Sequence, residues 1–215
     1  EAGEALGEAD SPLRARVLAC LAAELRWSAP HAQRAALSEE AIAMARRLGD
    51  DPTLVYTLSA RHWTLWSADN VEERLTVTSE MIRLAEKNGD ATLALVGRTW
   101  RSLAWLESGE RERSDADVER AATLAEKLHQ PFYHWWASGQ KTLRTLLEGR
   151  LEEAELCIYQ HLQLGQQVQA PDAVQAFGIQ MAAVYGVFNG FFAGRAARVL
   201  RLALRPGFAA NTAAA

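Results

Sequence analysis

The chain has 215 residues, 49% of them apolar and 23% charged, with a formal net charge of −4. That balance supports a globular core and lacks the basic surface that phosphate contact needs, so no direct nucleic-acid partner is expected. The longest weakly charged run, residues 179–194, holds Gln180 and Asn189 and falls short of the roughly twenty residues of a membrane span.

The N-terminal stretch, residues 1–10, reads as an extension without the charged and apolar regions of a signal peptide. From Ser11 onward, apolar residues recur at three- and four-residue spacings, and no hairpin or alternating pattern interrupts them. The prolines at 12, 30, 52, 131, 171 and 206 fall at joints, and 12 to 52 and 131 to 171 are both steps of forty. Proline suits the first turn of a helix, where its missing N–H has no partner to lose. Ser11, Asp51 and Asp90 are placed to cap the helices that follow them.

Cutting the chain at these joints gives repeats near 11–50, 51–90, 91–130, 131–170 and 171–210, followed by a tail at 211–215 expected to be disordered. In each central repeat an aromatic-rich first helix ("TLVYTLSARHWTLW", 53–66; "TLALVGRTWRSLAWL", 92–106; "FYHWWASGQKTLRTLL", 132–147) precedes a short turn. A more charged second helix follows, as in "VEERLTVTSEMIRLAEK" (71–87) and "LEEAELCIYQHLQL" (151–164). The phrase "LAEK" at 84–87 returns at 124–127, and "MARRLGDDP" (44–52) shares its Ala45 register. A two-helix unit cannot bury its apolar stripe alone, so a fixed period of two helices predicts a stack. The expected fold is all-α: one right-handed α-solenoid domain over residues 11–210, of about five antiparallel helix pairs. Trp63, Leu103 and Leu143, with Trp66, Leu106 and Leu146, form the predicted apolar columns of its core.

The turn "EGRLEEAE" (148–155) resembles the middle step of a tetratricopeptide repeat, with Gly149, Leu151 and Ala154 in the matching places; "SGERERSD" (108–115) keeps Gly109 but has Ser114 for the small alanine. Together with "SPLRARVLACLAAELRW" (11–27), "SEEAIAMARRLGDDPTLVYTLSARHWTLW" (38–66) and "LHQPFYHWWA" (128–137), the texture over residues 11–178 resembles the repeat region of large actinobacterial signalling ATPases of the maltose-regulator group. The resemblance implies a sensing or scaffolding arm that receives an effector or partner and controls an ATPase, in a cytoplasmic transcriptional or signalling regulator. The chain itself has no GxxxxGK[ST] loop, and no cofactor is expected.

Solenoids bind on the concave face lined by their first helices. At the forty-residue offset Arg61, Arg101 and Lys141 share one position, with Arg98 and Arg144 a turn away, and such a column suits a carboxylate, a phosphate or an acidic peptide. The alternative for these cations is solvation on the helix face or pairing with nearby Glu and Asp. Trp100, Trp135 and Trp136 are the aromatic candidates for a peptide anchor or for a pocket around a small effector; adjacent Trp135 and Trp136 cannot share a helix face. Gly186, Gly190 and Gly194 offer a homodimer contact through the C-terminal helices, and Arg195, Arg198, Arg201 and Arg205 fall on one face beyond them.

No catalytic or metal-ligating set emerges. His129 and His134 are five apart across Pro131, and Cys20 and Cys157 lack metal or redox spacing, so both read as buried thiols. The acidic pairs Glu39/Glu40, Glu72/Glu73 and Glu152/Glu153 read as occupants of second-helix starts, where the helix dipole favours them. The expected function is a non-catalytic scaffold with a protein, peptide or small effector as partner. A small-molecule receptor and a self-associating module are the alternatives.

Overall fold

The computed structural model describes residues 9–25, 28–65 and 68–186. Within them every regular element is helical: α1 (Pro12–Glu24), α2 (His31–Leu48), α3 (Asp51–Thr64), α4 (Val71–Lys87), α5 (Ala91–Glu107), α6 (Arg111–Leu128), α7 (Pro131–Leu147), α8 (Leu151–Gln167) and α9 (Ala173–Gly186). From α2 to α8 a helix begins every twenty residues, so the forty-residue period is one first helix plus one second helix. The chain forms two compact units, one through Leu128 and one from His129. Trp66, Gly190, Gly194, the four C-terminal arginines, the tail and the second half of the last repeat lie outside the described residues.

Local chemistry sets the joints. Ser11 accepts the Arg14 N–H at the start of α1, and Asp90 accepts the Leu93 N–H at the start of α5. At α3 the cap is Asp50, one residue before the expected Asp51, because Asp51 already stands in the first turn beside Pro52. The second helices α2, α4, α6 and α8 are each followed by a residue with positive φ: Gly49, Gly89, His129 and Gln169, again forty apart. Glycine takes this conformation without strain, whereas His129 and Gln169 carry a Cβ into it. The repeat therefore persists where its glycine signature has been lost.

In the first unit, consecutive helices pack side by side, and the first helices also meet along the row, α1 on α3 and α3 on α5. The core is written in the same register. Ala15, Val55 and Leu95 are buried in α1, α3 and α5, and Ala41, Met81 and Ala121, with Ala45, Ala85 and Ala125, are buried in α2, α4 and α6. In the second unit the same positions are Trp135, His161 and Gly165. The recurring alanine of "LAEK" is thus a point of close helix approach. At Gly165 the approach leaves no room for a side chain, since a Cβ there would lie 2.6 Å from both the Ala173 Cβ and the Trp135 Nε1.

The first predicted column shifts by one residue, while Leu106 and Leu146 of the second are half-buried. Trp63, Leu103 and Leu143 are half-buried, while the neighbouring line His62, Ser102 and Thr142 is fully buried. Hydroxyls fit this narrow interior because each can return a hydrogen bond to a carbonyl of its own helix. Ser102 donates to Thr99 O at 2.7 Å and Thr142 to Ser138 O at 3.1 Å. Cys157 is buried as expected, but Cys20 is exposed, as are Leu13 and Arg16 on the same helix. Glu72/Glu73 and Glu152/Glu153 do open second helices; Glu39/Glu40 lie in the middle of α2, which starts eight residues earlier than Glu39 at His31.

Candidate functional site

The cations expected on the binding face are, in the first unit, turned between helices. Arg61 on α3 is buried and donates through Nη2 to Glu73 of α4 at 2.6 Å and to Glu39 of α2 at 3.3 Å, with Nη1 on the Ala35 carbonyl. Forty residues on, Arg101 of α5 grips Asp117 of α6 and donates to Ser79 of α4 at 3.1 Å. Glu39 and Ser79 both stand 22 residues before their arginine. In these two repeats, therefore, one arginine ties a first helix to the second helices on either side of it. Arg98 adds Nη1 to the same Asp117 at 2.9 Å and also pairs with Glu86, while buried Arg74 pairs with Glu107. In the second unit Lys141 is exposed on α7 and Arg144 is half-buried.

The tryptophans are likewise not gathered into one pocket. In the first unit Trp100 is buried with the His62 imidazole stacked on it, ring centroids 4.3 Å apart and planes 1° from parallel, and Trp63 meets it edge-on at 5.6 Å. Burial, with the Arg74 guanidinium second, pushes the His62 pKa down to about 3, so the ring is neutral near pH 7. In the second unit Trp135 is buried and stacks on His161 at 5.2 Å, while Trp136 is half-buried against Phe132. The two adjacent indoles do take different environments.

His161 also meets Ser138, Oγ to Nδ1 2.7 Å, a pairing that invites a nucleophile reading. The hydroxyl proton is already committed, because Ser138 donates to the Trp135 carbonyl at 2.6 Å and a carbonyl can only accept. Nδ1 of His161 must then be the donor, the wrong direction for drawing a proton from the serine. Burial lowers the His161 pKa, in keeping with a neutral structural imidazole.

On the first-helix side of the first unit lies a hollow of about 310 Å³. Its walls are Arg16 of α1, Pro52, Val55 and Tyr56 of the first turns of α3, Asn88 and Asp90 of the α4–α5 turn, and Leu93 of α5. The register explains the gathering: Arg16 and Tyr56 are forty apart, as are Thr53 and Leu93, so successive first helices present equivalent positions to one opening. Among the described residues no carboxylate pairs with Arg16: its Nε donates to Thr53 Oγ1 at 3.3 Å and its guanidinium carbon lies 5.5 Å from the Tyr56 ring centre. Partial burial raises the Tyr56 pKa further above its ordinary value. A second, wider hollow of about 560 Å³ lies among α4, α5 and α6, where Glu72 and Glu110 add negative charge and Arg113 is occupied over the Trp105 ring at 4.8 Å.

Sequence reading missed Arg16 and Tyr56 because a lone exposed arginine and tyrosine carry no signal of their own. The forty-residue offset between them was the available clue. Among the described residues, no three His, Cys, Asp or Glu side chains gather to hold a metal, and no helix is long and apolar enough to cross a membrane. Neither a scan against protein-family models nor a search of curated proteins gives a match to this chain.

Proposed function

We propose that this chain is a non-catalytic binding arm, which receives a peptide or small effector on the first-helix side of its first unit. The observation that carries the reading is the hollow of about 310 Å³ walled by three successive first helices, with an arginine held ready by a hydroxyl and an aromatic ring. Ligand sites are concave, largely apolar and supplied with a few fixed polar groups, and Pro52, Val55 and Leu93 with Arg16, Asn88 and Asp90 meet that description. The resemblance of residues 11–178 to the repeat region of maltose-regulator-type ATPases supplies the context: a cytoplasmic regulator in which the arm reads an effector or partner and controls a linked ATPase.

The test is capture from cytoplasmic extract with the parent chain beside an Arg16→Ala/Tyr56→Ala variant. Both side chains are exposed, so the variant is expected to fold. A protein or metabolite retained by the parent and lost from the variant supports the reading. Equal retention by both overturns the site.

A further inference from the structure

The hollow at Arg16 also has a chemical preference. Four arginines of the first unit are matched by carboxylates: Arg61 by Glu73 and Glu39, Arg98 and Arg101 by Asp117, Arg74 by Glu107. Arg16 instead has Thr53 Oγ1 on its Nε and the Tyr56 ring alongside, an arrangement that orients the guanidinium and leaves its two Nη groups for an incoming acceptor. A guanidinium fork matches a carboxylate in a bidentate geometry.

Charge and size narrow the acceptor. Asp90 lines the same hollow, so Arg16 and Asp90 leave it without net charge, and a dianionic phosphate would bring twice the unmatched negative charge of a single carboxylate. Pro52, Val55 and Leu93 form the apolar wall, and about 310 Å³ is at the small end of ligand sites, room for one residue-sized group. Asp90 uses Oδ1 to cap the Leu93 N–H, which leaves Oδ2, with the Asn88 amide, to accept an N–H from the ligand.

We propose that the hollow binds a carboxylate carried on a short apolar body with an adjacent N–H, the chemistry shared by the C-terminal residue of a peptide and a free acylated amino acid. This rests on the binding-face reading above and specifies its ligand. The carboxylate lies on Arg16, the apolar body lies on Pro52 and Leu93, and the N–H turns to Asp90 and Asn88.

The experiment is calorimetric titration of the whole chain with four probes: N-acetyl-leucine, N-acetyl-leucinamide, an acetylated tetra-alanine-leucine peptide, and the same peptide amidated at its C-terminus. The acids should bind at least about tenfold more tightly than their amides, the worth of one charge-assisted contact. Arg16→Gln should erase that gap, and Arg16→Lys should restore part of it, with thermal midpoints unchanged in both variants. Tighter binding of the peptide acid than of N-acetyl-leucine assigns a peptide terminus, and equal binding assigns a free acid. Equal affinity of acid and amide, no binding of any probe at millimolar concentration, or an acid preference that survives Arg16→Gln overturns the proposal. If a captured partner still depends on Tyr56 while the acid preference is absent, the carboxylate chemistry fails and the binding face stands.

Discussion

Arg101 holds Asp117 as a fork holds a bar: Nε donates to Oδ2 at 2.7 Å and Nη2 to Oδ1 at 2.8 Å, joining α5 to α6. Asp117 is only 2% exposed and receives Arg98 as well, so one buried carboxylate accepts from two guanidinium groups, with Glu86 supplying a second negative charge to Arg98. Replacing it leaves half-buried Arg101 without its counter-charge and buried Arg98 with Glu86 alone. Asp117→Asn should cost about 3–5 kcal/mol of unfolding free energy, measured by urea denaturation. Arg16→Gln, at an exposed site, should stay within about 0.5 kcal/mol of the parent.

The stacked His62 and Trp100 make stability depend on pH. The folded-state pKa of His62 is pushed down to about 3, while an unfolded histidine titrates near 6.5. As pH falls below about 6.5, the unfolded chain takes up a proton that the folded chain refuses. Stability is therefore fully present above that pH and lost progressively toward pH 3, by up to about 1.4 kcal/mol per pH unit from this residue. His161, also lowered by burial, acts in the same direction. Denaturation at a series of pH values should show this loss, and His62→Phe, which keeps a ring on Trp100, should make the curve shallower between pH 6 and about 4.

Two glycine substitutions of opposite sense test the repeat. Gly165→Ala places a methyl 2.6 Å from the Ala173 Cβ and should destabilise by about 1–3 kcal/mol through overpacking. Gln169 holds φ at 53°, so Gln169→Gly relieves a left-handed strain and should stabilise by about 0.5–1 kcal/mol after glycine's entropy cost. Thermal midpoints that moved the other way would show that the register assigned to α8 is wrong.

Much of the fold was legible because periodicity is local. The first helix read at 92–106 is Ala91–Glu107 in the structure, and the second read at 71–87 is Val71–Lys87. The direction of side chains was less legible. Arg61 and Arg101 looked like a column because they share a register, and that register is indeed meaningful: it places them against Glu39 and Ser79, each 22 residues back. Deciding between an outward column and an inward tie required knowing which carboxylates face α3 and α5. Trp100 posed the same problem, since its partner His62 lies on another helix and becomes visible as a stack only when α3 and α5 are brought together. Arg16 and Tyr56 escaped notice for the converse reason, being unremarkable singly and significant as a pair forty residues apart.

The most direct test of the central claim is site-specific photo-cross-linking in cells, with a photoreactive phenylalanine analogue placed at Tyr56 in one chain and at Arg83, an exposed second-helix position, in another. The account predicts a discrete adduct from position 56 and none from position 83, with the adduct suppressed by Arg16→Gln. An adduct from position 83 alone, or none from either position, would contradict a binding face on the first helices.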